Sequence, residues 1–351
     1  MDVTGGGFAA ALVGLVGGML LGLAARRGRF CTLGAIEDSI YGRDLNRIRM
    51  WALALAVSIG GVHASAFAGL IDISGTLYAR VPWNPVSSVL GGLMFGYGMA
   101  MAGNCGYGAL ARLGGGDLRS LVIVIVTGIA AYATLYGPLS GVRTAAFPPD
   151  PYAAIDMTTL PDLIAPLADV PPVMIALAVA SLLAGWALSA RAFRNSTSHV
   201  LWATIAGTAI ATGWVGTALV SAISFDIVPV ESHTFTAPLG ESIFALMVGD
   251  GQDFSFGIGS VLGVIVGAAI GSISRGHFRW EACDDPGELG RQIVGGALMG
   301  IGGVLAMGCS IGQGMTAFSV LATSAPVVLC AVFVGALVGL RHLIQGFEAT
   351  G

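Results

Sequence analysis

The chain has 351 residues, of which only 10% are charged and 55% are hydrophobic, and its mean hydropathy is +0.83. Soluble domains carry about 25% charged residues, so this composition excludes an ordinary soluble globule. All sixteen cationic residues are arginines, and twenty Asp and Glu residues leave a net charge of −4. This mild acidity and the absence of basic runs exclude a nucleic-acid-binding protein. The composition predicts an integral membrane protein.

Seven segments are apolar over the length of about 20 residues that a helix needs to span a bilayer. They are 7–25, 50–71, 119–137, 172–190, 200–222, 256–274 and 325–345. Two further apolar segments, 87–112 and 291–323, are interrupted by the Gly-rich sequences GNCGYG and GCSIGQG. With each interrupted segment counted as one crossing, the sequence predicts an all-α membrane protein with about nine transmembrane helices plus broken or re-entrant helices.

The arginines predict the orientation of the chain. With nine crossings and an external N-terminus, fourteen arginines fall on the cytoplasmic side and only Arg80 and Arg143 fall outside. Such a bias is typical of cytoplasmic loops. The first span has no basic segment before it and is followed by Arg26, Arg27 and Arg29, which is the reverse of a cleavable signal peptide. We expect a multi-pass protein with its N-terminus outside and its C-terminus in the cytoplasm.

An internal repeat relates the two halves of the chain. Residues 91–108 align without a gap with 295–312, and seven of the eighteen positions are identical, including Cys105 with Cys309. The chain is predicted to contain four spans, then one linker span, then four more spans. The second half therefore starts five crossings after the first, on the opposite side of the membrane, and the two halves are predicted to be inverted relative to one another. The predicted divisions are 1–137 as the first repeat, 138–198 as an external loop and linker span, and 199–351 as the second repeat.

A second, weaker alignment occurs at nearly the same offset. The segment 29–40, RFCTLGAIEDSI, aligns with 234–245, TFTAPLGESIFA, and places Thr236 opposite Cys31. This alignment extends the repeat to a third polar break, GRFCTLG, in the first half.

At each break one helix stops and another starts, so unpaired backbone N–H groups and the positive end of a helix dipole face the interior. Such an end suits an anion, and inverted repeats place their substrate site near the midplane between broken helices. Each break carries one cysteine: Cys31, Cys105 or Cys309. The further residues predicted to line this site are Asn104, Gly106, Ser310, Gln313 and Thr236.

Thiols are weak donors and soft acceptors, which suits a sulfur-bearing substrate. The alternative is that a free cysteine is a small hydrophobic residue, and we interpret Cys330, in the middle of an apolar span, in that way. Cys283, in the predicted cytoplasmic loop 275–291, is assigned to neither group. The five cysteines show no CxxC spacing, so we predict no metal and no cofactor.

Two acidic residues, Glu37 and Asp38, follow the first cysteine break. Acidic residues within a membrane segment are candidates for function. Their short distance along the chain from Arg43 favours a structural ion pair at the cytoplasmic surface.

The cysteine motifs resemble those of the YeeE/YedE family of bacterial sulfur transporters. The resemblance rests on GRFC at 28–31, GNCGYGALARLGGGDLRS at 103–120 and GCSIGQGMTAFS at 308–319, and it covers essentially the whole chain. It implies an hourglass-shaped protein of the bacterial cell inner membrane that takes up thiosulfate.

The resemblance also implies roles for individual residues. The first, second and third relay cysteines of the family correspond to Cys31, Cys105 and Cys309, which would pass thiosulfate inward by successive S–H···S hydrogen bonds without covalent chemistry. The family implies a small cytoplasmic sulfur-carrier protein of the TusA type as a partner. It also leaves a selenium-bearing or other soft anion open as the substrate.

Two other classes of function compete with transport. A membrane thiol-disulfide oxidoreductase would need two cysteines close enough to form a disulfide, and Cys105 and Cys309 could meet in space. A binding or signalling subunit without transport would have no use for broken helices. We therefore expect a transporter, not an enzyme.

Overall fold

The computed structural model describes residues 5–81, 83–148, 159–224, 227–249, 254–282 and 285–348. Within these ranges the regular structure is helical, apart from isolated β-bridges. The helices are α1 Gly6–Gly28, α2 Thr32–Ile40, α3 Asn46–Phe67, α4 Leu77–Arg80, α5 Pro85–Ala102, α6 Gly106–Leu113, α7 Leu118–Leu135, α8 Leu139–Ala146, α9 Leu160–Ala168, α10 Pro172–Ser189, α11 Arg191–Arg194, α12 Thr197–Ile223, α13 Ala237–Val248, α14 Phe256–Ile273, α15 Pro286–Leu305 and α16 Ser324–Glu348. A 3-10 turn, Ile73–Gly75, and a π-helix, Gly312–Ala317, complete the set.

Among the described residues, eight helical segments are long and apolar enough to cross a membrane. They are Gly6–Ile40, Asn46–Phe67, Pro85–Leu113, Leu118–Leu135, Pro172–Ser189, Thr197–Ile223, Phe256–Ile273 and Ser324–Gln345. Each contains or overlaps one predicted span. The remaining predicted crossing, 291–323, begins with α15, whose first turns carry Glu288, Arg291 and Gln292. The chain is an all-α, multi-pass membrane protein, as its composition predicted.

Glycines allow the backbones of the crossing helices to approach closely. At the contact of α1 with α14, a Cβ atom added to Gly259 would lie only 1.9 Å from the carbonyl oxygen of Ala11. The same contact contains Gly18 and Gly263, where an added Cβ would lie 2.3 Å from the Ser260 oxygen and 2.2 Å from the Leu15 oxygen, respectively. Small residues at helix contacts are how membrane helices gain packing energy without a hydrophobic driving force. Close helix contacts are therefore one use of the 54 glycines in the chain.

The long helices pack in a recurring set of pairs. Helix α1 packs against α14, and α3 packs against α12; helix α5 packs against α16, and α7 packs against α15. Helices α1 and α12 also contact each other, as do α5 and α15. Helix α10 lies outside these pairs and packs on α3.

The predicted external loop within 138–171 is partly helical. It contains α8 and α9, and residues 149–158 lie outside the described ranges. The start of α9 is attached to the second half of the chain, because the Leu160 N–H donates to the Leu321 carbonyl at 2.8 Å. This segment is therefore packed onto the region that follows the break at Cys309.

Candidate functional site

The first break separates α1 from α2. Helix α1 ends at Gly28, and Arg29 turns the chain with a left-handed backbone, φ 56°. Phe30 is buried and stacks on Trp51 with ring centroids 4.9 Å apart. Cys31 is then the extended N-cap residue of α2. The predicted interruption is confirmed, and it leaves the Cys31 side chain at the start of a short helix.

The second break has the same form. Helix α5 ends at Ala102, Gly103 adopts the left-handed conformation that glycine favours, φ 74°, and Cys105 is the N-cap of α6. The Cys105 sulfur accepts the Gly108 N–H at 3.4 Å, and the residue is 0% exposed. A cysteine thus occupies the capping position that Ser, Thr, Asp or Asn commonly takes.

The third break surrounds Cys309 with backbone donors. Its sulfur accepts the N–H of Gly312 and the N–H of Phe235, each at 3.3 Å, and Thr234 Oγ1 lies 3.9 Å away. Gly312 stands three residues after Cys309, as Gly108 stands after Cys105. Cys309 is 1% exposed. Two N–H donors use both lone pairs of the sulfur, so the remaining hydrogen-bonding group of Cys309 is its S–H donor.

Ser310 connects the three breaks. Its hydroxyl accepts the Thr32 hydroxyl at 3.1 Å, which joins it to the start of α2. Cys105 lies near Ser310 and within electrostatic range of both Cys31 and Cys309. Segments that are more than two hundred residues apart in sequence therefore meet at one buried point, and the three predicted cysteines are neighbours there.

The remaining predicted residues lie in or beside these breaks but make different contacts. Asn104 is 4% exposed, and its amide nitrogen has no hydrogen-bond partner among the described residues. Thr236 is the N-cap of α13, as Cys31 is of α2, and its buried hydroxyl is also unpartnered within those ranges. Gln313 instead donates to the Met307 carbonyl and accepts from Ser324. Gly106 is buried beside Phe235 and Leu239. Gln313 thus uses its amide to hold the third break together.

Three residues that contact the breaks were missed in the sequence: Thr32, Phe235 and Tyr78. Thr32 bonds to Ser310, the Phe235 N–H bonds to Cys309, and the buried Tyr78 hydroxyl donates to the Gly312 carbonyl at 3.0 Å. Thr32 and Phe235 fall inside the weak second alignment, which was the available signal. Tyr78 lies outside every motif.

A cavity of about 370 Å³ opens next to the first two breaks. It is lined by Cys31, Asn104, Glu37 and five arginines. These arginines are Arg26, Arg29, Arg47, Arg112 and Arg275. Cys31 is partly exposed, whereas Cys105 and Cys309 are buried. Of the three predicted cysteines, Cys31 is therefore the one that lines the arginine-lined cavity.

The predicted ion pair near the first break is wrong in its cation. Asp38 pairs with Arg47, with Nε and Oδ2 3.1 Å apart, and not with Arg43. Arg47 lies on α3, which packs against α2. The helix contact, and not proximity in sequence, selects the partner.

Cys330 lies within α16, as predicted, and its side chain is exposed. Its environment therefore differs from that of the buried thiols of Cys105 and Cys309. Cys283 falls outside the described residues, so its position is not assigned.

Glu231 lies between α12 and α13, outside the membrane-spanning helices. Burial, with a smaller contribution from the charge of Glu241, raises the pKa of the Glu231 carboxyl from 4.5 to about 7. Between these values the folded protein binds more protons than the unfolded chain, so stability falls as the pH rises.

Glu231→Gln removes this pH dependence. We expect the variant to match the wild type at pH 4.5 and to be more stable by about 1–3 kcal/mol at pH 8. Thermal unfolding of both proteins in detergent over this pH range measures the difference. A stability difference that is the same at both ends of the range contradicts the assignment.

Comparison with known proteins places the chain in a family. Residues 27–338 match the family model described as Sulphur transport. The chain is 30% identical over 319 residues to the thiosulfate transporter TsuA of Escherichia coli K12, a match that covers 88% of this chain and 87% of that protein. It is 27% identical over 318 residues to the thiosulfate transporter TsuA of Spirochaeta thermophila, covering 89% and 92%. The chain therefore belongs to the sulphur-transport family, a family of membrane transporters and not of enzymes.

Proposed function

We propose that this protein takes up thiosulfate across the bacterial inner membrane and that Cys31, Cys105 and Cys309 bind the anion in turn. The observation that carries the proposal is the meeting of three cysteine-bearing helix breaks at Ser310. The names of its relatives from Escherichia coli and Spirochaeta thermophila support thiosulfate as the substrate. A selenium-bearing anion of the same shape is the alternative substrate.

The geometry suggests how a thiol would serve such a substrate. Burying a dianion without compensation is prohibitively costly, and breaks in the helices supply backbone N–H groups and dipole ends in its place. The Cys309 sulfur already accepts two N–H groups, so its S–H, which lies beside the Thr234 hydroxyl, is the group that it would donate to the terminal sulfur of thiosulfate. Hydrogen bonds of this kind are weak, which favours release from one site to the next.

The direction of the relay follows from the arginines. The cavity at Cys31 is on the arginine-rich side, which the positive-inside bias assigns to the cytoplasm. An anion moving inward would then meet Cys309 and Cys105 before Cys31, so the transport order is the reverse of the chain order. On this orientation the N-terminus is outside and the C-terminus is cytoplasmic.

We further propose that residues 1–137 and 199–351 are inverted repeats joined by 138–198. The helix pairing supports this division, since α1 with α14 repeats α12 with α3, and α5 with α16 repeats α15 with α7. The matching bonds from Gly108 to Cys105 and from Gly312 to Cys309 support it as well. A two-fold relation of this kind places the substrate site between the repeats.

A cytoplasmic sulfur-carrier protein of the TusA type remains a prediction for the receiving partner. The competing interpretation, a thiol-disulfide oxidoreductase, is not supported by the family to which the chain belongs.

Uptake is tested in a bacterial host that lacks its own sulfate and thiosulfate uptake systems. Expression of this chain is expected to restore growth on thiosulfate and accumulation of ³⁵S-labelled thiosulfate, but not growth on sulfate. An empty vector is the control. Absence of thiosulfate accumulation in cells that contain the protein in their membranes overturns the proposal.

A further inference from the structure

The arginine-lined cavity has features that transport through the three thiols does not require. Its lining combines five arginines with one carboxylate, Glu37. A cleft walled by one sign of charge concentrates ions of the opposite sign. The Arg112 guanidinium has no hydrogen-bond or ion-pair partner among the described residues, although it lies within electrostatic range of Arg26 and Glu37. The five arginines outnumber Glu37 in the lining and the Asp38 partner of Arg47, so the cavity keeps a net positive charge.

Two glycines make room for the guanidinium groups at this cavity. A Cβ added to Gly34 would lie 2.1 Å from Arg47 Nη1 and 3.8 Å from the Cys31 Cβ atom. A Cβ added to Gly115 would lie 2.1 Å from Arg26 Nη2. The Arg47 guanidinium is thus seated against the first turn of α2, beside Cys31.

Other contacts hold the walls of the cavity in place. Arg26 Nε donates to the Ser272 hydroxyl at 2.6 Å, and Arg47 is fixed by Asp38. The segment that carries His277 is tied to the α6–α7 turn, where the Arg279 N–H donates to the Gly115 carbonyl at 3.2 Å. The charged groups are therefore positioned by the fold before any ligand arrives.

Asn104 adds an independent sign of a ligand. It lines the cavity and is 4% exposed, yet its amide nitrogen has no hydrogen-bond partner within the described ranges. A buried donor without an acceptor costs about 1–3 kcal/mol, so its presence calls for an acceptor supplied from outside the chain. An oxyanion in the cavity would supply that acceptor.

We propose that this cavity is a second anion site, in which a small sulfur oxyanion binds to the guanidinium groups of Arg47 and Arg112 and to the amide of Asn104, next to Cys31. Arginine suits such a ligand because its planar donors match oxyanion geometry. The ligand is either thiosulfate leaving the thiols or an oxyanion such as sulfate from the cytoplasm. Only the choice of thiosulfate as the ligand rests on the proposed function; the anion site itself does not.

The rate at which Cys31 forms a mixed disulfide with a methanethiosulfonate reagent, releasing methanesulfinate, tests the site without requiring transport. In the full chain with Cys283→Ala and Cys330→Ala, Cys31 is the exposed thiol. Inside-out membrane vesicles are treated with an anionic sulfonatoethyl methanethiosulfonate or with its cationic trimethylammonium counterpart. We expect the anionic reagent to modify Cys31 at least about tenfold faster, because a cleft with a net positive charge concentrates anions. Millimolar thiosulfate should slow this reaction by more than it slows labelling of a free thiol in solution, since thiosulfate also consumes the reagent directly, and chloride should not slow it.

Substitutions separate the site from general surface charge. Arg47→Gln with Arg112→Gln is expected to bring the two reagents toward equal rates and to remove protection by thiosulfate. Gly34→Ala displaces the Arg47 guanidinium without changing the charge and should weaken protection. Arg191→Gln, on α11 and outside the cavity lining, is the matched control and should change neither.

The outcomes are distinct. Protection by thiosulfate alone assigns the site to the departing substrate, and equal protection by sulfate assigns it to a cytoplasmic oxyanion. The site is overturned if the two reagents react at equal rates in the protein that keeps Arg47 and Arg112. It is also overturned if the preference for the anionic reagent is unchanged after both arginines are replaced. Failure of thiosulfate uptake in whole cells with the labelling pattern intact would overturn the transport function and leave the anion site standing.

Discussion

Replacing Cys105 or Cys309 with alanine is expected to abolish thiosulfate-dependent growth. Each substitution removes an S–H donor from a buried position where water cannot replace it. Loss of a hydrogen bond to a charged group costs about 1.5–3 kcal/mol, which corresponds to a fall in uptake of roughly tenfold to more than one hundredfold at limiting thiosulfate. Cys31→Ala should have a smaller effect, since Cys31 is partly exposed at the arginine-lined cavity. Uptake of ³⁵S-labelled thiosulfate measures all three.

Serine variants identify the chemistry. A serine hydroxyl can donate a hydrogen bond but cannot form a persulfide, so Cys309→Ser should retain measurable uptake if the relay is non-covalent. Cys330→Ala is the matched control, because Cys330 is exposed on α16 and apart from the breaks. Wild-type uptake by the Cys105→Ala, Cys309→Ala double variant contradicts the relay.

Gly259→Val is expected to prevent stable assembly of the fold. A Cβ atom at position 259 would lie 1.9 Å from the Ala11 carbonyl oxygen, which belongs to the backbone of α1 and cannot rotate away. Helices α1 and α14 would have to separate along their contact. Overpacking usually destabilises a protein by about 1–3 kcal/mol. Here the added side chain clashes with backbone atoms, which cannot move independently of their helix, so we expect a loss of stability at or above the upper end of this range.

The yield of monodisperse protein in mild detergent, together with its thermal unfolding temperature, measures this effect. Gly185→Val on α10 is the matched control, since no atom lies within 4 Å of a Cβ added there. A Gly259→Val protein with wild-type yield and unfolding temperature contradicts the packing of α1 on α14.

Local chemistry explains why the cysteine breaks were predictable from sequence. Gly103 ends α5 because it adopts a left-handed conformation, and Cys105 follows it as a cap within two residues. Such features depend on a few adjacent residues, so they are visible in GNCGYG and GCSIGQG. The same holds for the spans, since hydropathy is a property of consecutive residues.

Long-range contacts were not predictable in the same way. Arg43 is nearer to Asp38 in sequence, yet Arg47 is its partner, because the packing of α3 on α2 turns Arg47 toward it. Gln313 was predicted to line the substrate site, and the structure adds that its amide bonds to Met307 and Ser324. In both cases a side chain's partner is set by the arrangement of helices and not by its neighbours in the chain.

The sequence by itself determined that the protein lies in a membrane, where its helical spans are and where the three cysteine-bearing breaks fall. These features follow from apolar composition and from the backbone freedom of glycine. The tertiary structure decided which breaks meet and what they contact. Thr32 and Ser310 are 278 residues apart and bond at 3.1 Å. The arginines that looked like orientation signals form the wall of a cavity only when α1, α3, α6 and α14 are assembled, because their charges come from separate helices.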